Sequence, residues 1–249
     1  DAVSFGIYKE DTDKPNLLVA HSFVYFIKNG YQNCNGILNG LTNYYSTDVN
    51  PYKCYSGYCF FVIGLVHTNG NLVLNFYKYP SSSCSITLVD RISFNNVTSN
   101  LKCEFMLDTS NERVLTCFYQ DGISNQMISK SFEINIEDVS YPTIQEISSL
   151  ENIKSNCGAK VIKTILSRDK TKTFVCYVND YNNCDCLIYN IVTNTWSSSA
   201  TYISGCLSGL SSMNIEYFEN TDEYILYCFQ SETLISSVKF DSNFNIKES

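Results

Sequence analysis

The chain has 249 residues, 44% of them hydrophobic and only 17% charged, and carries a formal net charge of −8. That apolar content can fill a sizeable core and excludes a disordered polymer, while an acidic balance without clustered Lys and Arg excludes a protein that tracks nucleic-acid phosphates. No apolar run approaches the roughly 18 residues needed to cross a bilayer, so no membrane span is expected.

In chain order the sequence reads as a succession of short strands. The first group has strand candidates at 3–8 and 17–26, followed by a poorly patterned stretch after Gly36. The second has 60–66, the hairpin chemistry of Thr68-Asn69-Gly70, then 72–77 and 85–94. The third has 102–107, 114–119 and 127–134, divided by turn-forming clusters at 108–113 and 120–122. The fourth has 161–166, 173–178 and 187–192, a turn at 193–195, and a last strand at 196–203. The fifth has 214–218, 224–229, 234–240 and 245–248. Helical periodicity is nearly absent. Its best candidate, 143–150, reads as a connection or an outer strand.

An anchor phrase of apolar residues, a small polar residue or Cys, and an aromatic marks each group. Taking Ser22, Asn75, Cys117, Cys176 and Cys228 as equivalent gives steps of 53, 42, 59 and 52 residues. Such spacing belongs to repeat arrays and propeller blades, and the absence of crossover helices excludes parallel α/β folds. The expected fold is all-β: a single β-propeller over 1–249 with five blades of three to four antiparallel strands, at about 1–46, 47–96, 97–150, 151–204 and 205–249. A six-bladed ring is the near alternative, and a pair of β-sandwiches is the plainer competitor.

Twelve Cys beside two His favour disulfides over zinc, and with them an oxidising, secreted or cell-surface compartment. Asp1 is read as a mature terminus or a boundary within a longer chain. In a hairpin, facing residues have numbers that sum to twice the turn centre. That arithmetic pairs Cys103 with Cys117 and Cys176 with Cys186. It leaves Cys184 to reach Cys157, and sets Cys206 against Cys228 across a connection. Cys34, Cys54, Cys59 and Cys84 remain open among themselves. A four-sulfur zinc site from Cys184, Cys186, Cys157 and Cys176 is the disfavoured reading, because structural zinc draws its ligands from paired knuckles.

Catalytic signals are sparse. His21 and His67 have no nucleophile elbow beside them. Glu104, Asp108, Glu216 and Glu219 are the carboxylates a channel glycosidase would use, yet two of them sit beside turns. Arg91, Arg113 and Arg168 are the whole guanidinium inventory, and they lack the Asp-box turns of sialidases. The acidic stretch 11–16 lacks the Gly and the distal Glu of a calcium loop. No cofactor and no metal is implied. Tyr44, Tyr45, Tyr55, Tyr58 and Tyr181 fall in expected loops, where tyrosine supplies rigid amphipathic contact area. Asn96 opens an Asn-Val-Thr sequon, the acceptor pattern for glycosylation in a secreted protein.

The bias toward Asn, Tyr, Ser, Ile and Lys, joined to the cysteine-bearing units 103–135, 156–196 and 205–240, resembles the secreted cysteine-rich propeller antigens of malaria parasites, of the cysteine-rich protective antigen type. The resemblance implies a non-catalytic secreted or surface binding module that contacts a protein receptor or complex partner in host–parasite interaction. A propeller lectin, with Trp196 and Asn or Tyr between blades, is the alternative expectation. A glycoside-cleaving propeller is the third.

Overall fold

The computed structural model describes residues 2–9, 18–26, 30–37, 44–67, 69–80, 86–108, 113–147, 152–154, 158–198, 200–207 and 212–248, and side chains from residue 48 onward except at 49, 51, 152–154 and 248. Every regular element in them is a strand. They are β1 (Ala2–Lys9), β2 (Leu18–Phe26), β3 (Gly30–Ile37), β4 (Tyr44–Tyr55), β5 (Tyr58–His67), β6 (Leu72–Pro80), β7 (Thr87–Phe94), β8 (Lys102–Leu107), β9 (Arg113–Asp121), β10 (Gln126–Asn135) and β11 (Thr143–Glu146). Then follow β12 (Asn152–Lys154), β13 (Val161–Leu166), β14 (Lys172–Val178), β15 (Cys184–Asn190), β16 (Thr195–Trp196), β17 (Ala200–Ile203), β18 (Met213–Phe218), β19 (Glu223–Phe229), β20 (Ile235–Phe240) and β21 (Ile246–Glu248). Among the described residues no helix is long and apolar enough to cross a membrane.

The strands form five antiparallel sheets of consecutive chain: β1-β2-β3, β4-β5-β6-β7, β8-β9-β10-β11 with β12 on β10, β13-β14-β15-β16 with β17 on β15, and β18-β19-β20-β21. By contact density the chain divides into one compact unit of residues 1–95 with 134–145, and a second of 96–133 with 146–249. In the first unit β1 lies beside β4, and in the second β13 lies between β8 and β18. The neighbouring strands in both units are therefore the first of their sheets, and later strands stand progressively outward.

Within the second unit, burial follows this layering. β9 is buried at every position from Val114 to Gln120, and β14 from Thr173 to Val178, because each presents both faces to protein. One core joins the third and fourth sheets through Met106, Val114, Phe118, Ile162, Val175 and Tyr189. Another joins the fourth and fifth through Phe174, Cys176, Leu226, Val238, Phe240 and Phe244. The first strands are also stitched by polar groups. Asn100 donates Nδ2–H to the Ile162 carbonyl at 2.8 Å and accepts the Ile162 amide at 2.6 Å, and the Thr164 hydroxyl donates to Glu104 at 2.7 Å.

Sulfur placement follows hairpin register. Cys103 faces Cys117 and Cys176 faces Cys186 in the ladders, and both pairs are bonded. Cys206 is bonded to Cys228 across a Cα separation of 5.8 Å, from the connection into β19. The open set resolves in part into Cys54–Cys59, which closes the β4–β5 hairpin. Cys184 corrects the expectation of a bridge: it is a free, buried thiol with Sγ 3.0 Å from the Met213 sulfur. Its expected partner Cys157, like Cys84, lies outside the described residues. Since Cys176 and Cys186 are bonded to each other, neither can serve the four-sulfur zinc site.

Three further expectations are corrected. Tyr44, Tyr45, Tyr55 and Tyr58 are strand residues of β4 and β5, not loop residues. Only Ser56 and Gly57 separate the two strands, both at positive φ (48° and 81°), the conformation of a tight two-residue hairpin. β12 belongs to the third sheet although it follows the expected boundary at 150. The anchor phrase sits on the second strand of four sheets but on the third strand, β6, of the second sheet, so Asn75 is not equivalent to Cys117.

Candidate functional site

At one end of the second unit, three hairpin turns from adjacent sheets converge: 167–171 between β13 and β14, 219–222 between β18 and β19, and 241–245 between β20 and β21. They enclose a cleft of about 220 Å³ lined by Ser167, Arg168, Asp169, Lys172, Asp222, Ser242, Asn243 and Phe244. Each turn bends through a non-glycine residue at positive φ: Lys170 at 60°, Asp222 at 52° and Phe244 at 66°. For a bulky aromatic this is an outlier that surrounding structure must enforce. The enforcement is visible. The Phe244 ring is buried against Phe174 (4.8 Å between centroids) and Tyr224 (4.7 Å), and the Asp241 carboxylate accepts the amides of Asn243 and Asn245. An apolar floor thus carries a polar rim.

The rim charges divide into held and unheld groups. Burial pushes the Asp169 carboxyl up, but hydrogen bonds from the Ser167 hydroxyl (2.6 Å) and the Thr171 amide (3.1 Å), together with the Lys172 charge, outweigh it and keep the group below the usual carboxylate range. Hydrogen bonds from Asn245 and Asn243 do the same for Asp241 against a small desolvation effect. Asp222 accepts the Tyr217 hydroxyl at 2.7 Å, which raises the phenol above its ordinary value and leaves a second carboxylate oxygen open. The Arg168 guanidinium, exposed at the rim, makes no hydrogen bond or ion pair to another described side chain.

A pH dependence follows from these shifts. A carboxylate whose folded pKa is depressed contributes stability that is complete above its unfolded pKa and is lost as pH falls through the folded value. Denaturant midpoints are therefore expected to hold from neutral pH down to about pH 4 and to fall below it, with Asp169→Asn flattening part of that fall. Equal slopes in wild type and variant would show that the turn is not held this way.

The remaining sequence candidates fall elsewhere. Glu104 is bonded to Thr164, and Glu216 accepts the Tyr227 hydroxyl (2.9 Å) and the Asn214 amide (3.0 Å), so each acid is occupied separately. Asp108 follows β8, and Glu219 is exposed in a turn. His67 ends β5 half-buried, its imidazole pushed down by burial and then by the Arg91 charge. His21 lies in β2, where side chains are outside the described set. Arg113 covers the Phe105 ring at 4.3 Å. Trp196 packs on Phe118 and Tyr189, inside the sheet stack instead of in a sugar pocket. Tyr181 is in the 179–183 turn and 85% exposed, and Asn96 is exposed beside Gly122. The acidic stretch 11–16 lies outside the described residues. Among those described, no three His, Cys, Asp or Glu gather as a metal would require.

Successive antiparallel sheets of three to five strands, set first strand beside first strand within each unit and stapled by disulfides, define a β-propeller fold. The fungal Aleuria aurantia lectin, a six-bladed β-propeller with a fucose recognition mode, aligns with a TM-score of 0.59 at 10% identity over 99% of this chain and 77% of its own. A mutant of AofleA from Arthrobotrys oligospora aligns at 0.54 with 8% identity, over 100% of this chain and 73% of that one. A putative 6-phosphogluconolactonase from Bacteroides fragilis aligns at 0.50 with 10% identity, over 99% and 80%. No family model matches the sequence, and no curated protein matches it. At such identities the likeness is one of fold, and fold alone carries lectins and enzymes alike.

Proposed function

We propose that the chain is a secreted, non-catalytic binding module whose inter-sheet cleft takes a single sugar ring of a glycan. The observation that carries this reading is the cleft at Arg168, Asp222 and Asn243: a guanidinium and a side-chain amide without described partners, and the second oxygen of a carboxylate that already accepts Tyr217, stand at the rim over buried Phe244. Its volume is below the about 300–1,000 Å³ of clefts for larger ligands, which suits one ring. Guanidinium and carboxylate together can donate to and accept from neighbouring hydroxyls. Similarity to lectins of this fold supports testing fucose first. Four disulfides among the described residues support an oxidising, extracellular setting.

A glycan array followed by titration of the retained sugar tests the reading. Arg168→Ala or Asp222→Ala is expected to weaken binding at least about tenfold, the scale of one lost charge-assisted hydrogen bond. Retention of no glycan, or unchanged affinity in both variants, would overturn it. A second contact, with a host-cell or parasite protein as the sequence resemblance implies, is favoured by exposed Tyr181, Leu207, Leu234 and Ile235 near the Cys206–Cys228 staple.

A further inference from the structure

Among the four sheets whose side chains are described, β7 is the one long outermost strand. It has eight residues, against four in β11, three in β12, two in β16, four in β17 and three in β21. An outer strand exposes a row of N–H and C=O groups, and native proteins commonly blunt it by keeping it short. A bulge at the Phe76–Tyr77 step interrupts the β6–β7 ladder near Val89, while residues 90–94 pair with β6 without interruption and have the last edge of their sheet on the other side. Beside the bulge, a cleft of about 380 Å³ runs between residues 87–90 and 140–143. Leu88 (43% exposed), Tyr141 (80% exposed) and Pro142 form its apolar wall. The wall is fastened by the Lys78 ammonium on the Val139 carbonyl and by the Ile144 amide on the Asp90 carboxylate at 3.0 Å.

Asp90 and Arg91 set opposite charges side by side along this edge. The Arg91 Nε donates to Asn75 at 2.8 Å, the Asp90 carboxylate accepts the Arg91 amide at 2.8 Å besides that of Ile144, and neither charge is ion-paired to another described residue. A second copy cannot answer both charges. Two-fold antiparallel pairing sets residues of equal parity opposite one another, so no register brings Asp90 against Arg91 of the copy.

We infer that β7 accepts an extended segment of a different protein as an added strand. That segment carries a basic residue facing Asp90, an acidic residue facing Arg91, and an apolar side chain entering the cleft beside Leu88 and Tyr141. Main-chain hydrogen bonds supply the affinity, and the charge pair supplies the register. This surface lies in the first compact unit and is independent of the sugar cleft in the second.

Two ten-residue peptides of alternating threonine and valine, one with Glu-Lys and one with Lys-Glu at the centre, cover both strand directions. One of them is expected to slow amide hydrogen exchange in residues 90–94 at least tenfold, and a neutral peptide with threonine at both central places is expected to do far less. Arg91→Glu should abolish the protection. Asp90→Asn, which keeps one acceptor oxygen for the Ile144 amide and gives up the bond from the Arg91 amide, should weaken it, with an unchanged urea midpoint confirming that the fold is kept. No protection by either charged peptide, equal protection by the neutral one, or insensitivity to both substitutions would overturn the inference. So would a dimer, seen by sedimentation, that protects the same amides.

Discussion

Phe174→Ala is expected to cost about 3–5 kcal/mol in unfolding free energy, the range for removing a fully buried aromatic from a packed core. Phe174 is 1% exposed and lies where four rings meet: Phe244 stacked at 4.8 Å, Phe240 edge-on at 4.9 Å and Tyr202 at 6.1 Å. No neighbour can collapse into the space cheaply, because Tyr202 and Phe240 are fixed in the ladders of different strands and Phe244 in a turn held by the Asp241 carboxylate. The loss should extend to ligand binding. Phe244 holds its left-handed backbone only while its ring is gripped, and releasing it lets the 241–245 turn move off the cleft. Urea unfolding followed by titration on the surviving folded fraction measures both effects. Reduced stability with full glycan affinity would separate the floor from the rim.

Asn100→Ala comes second, at about 2–4 kcal/mol. The side chain imitates a strand, giving and receiving one hydrogen bond each with the backbone of Ile162, and it is 4% exposed. Truncation strands a buried carbonyl and a buried amide at the joint between the third and fourth sheets, each costing about 1–3 kcal/mol when left unmade. Asn100→Asp is the sharper control, since it keeps the acceptor for the amide but sets a carboxylate oxygen against the Ile162 carbonyl. Both variants should unfold at lower urea with an unchanged slope. A midpoint within experimental error of wild type for Asn100→Ala would mean that water replaces the amide.

The sequence makes the middle of each sheet legible and its margins obscure. β9, β14 and β19 are continuous or alternating apolar runs between turn clusters, so their existence and the pairings Cys103–Cys117 and Cys176–Cys186 follow from period two alone. β3 and β4 escape the same reading. The first is polar, with Gln32, Asn33 and Asn35, and the second contains Pro51, which is tolerated because the β4–β5 register shifts between Pro51 and Cys54. The tyrosines around Cys54 look like a recognition loop until the two-residue turn shows them to be a hairpin. The cleft at Arg168 is invisible for a different reason. Each of its turns reads as an ordinary Asp-bearing bend, and only tertiary stacking brings together turns some 50 and 20 residues apart in the chain. Recurrence of an acidic turn residue at one end of successive sheets, in Asp169, Asp222 and Asp241, is the signal that could have found it.

Cys184 is a free thiol two positions from the bridged Cys186, whereas eight other described cysteines are joined in disulfides. Burial pushes its thiol up to about 12, so the nucleophilic thiolate form is essentially absent while the chain is native. Once opened, that same group regains ordinary reactivity and competes for the partners of its neighbours. Maturation of this polypeptide therefore depends on the order in which packing and oxidation occur: sheets that close before their cysteines react hide the spare thiol, and cysteines that react first invite scrambling.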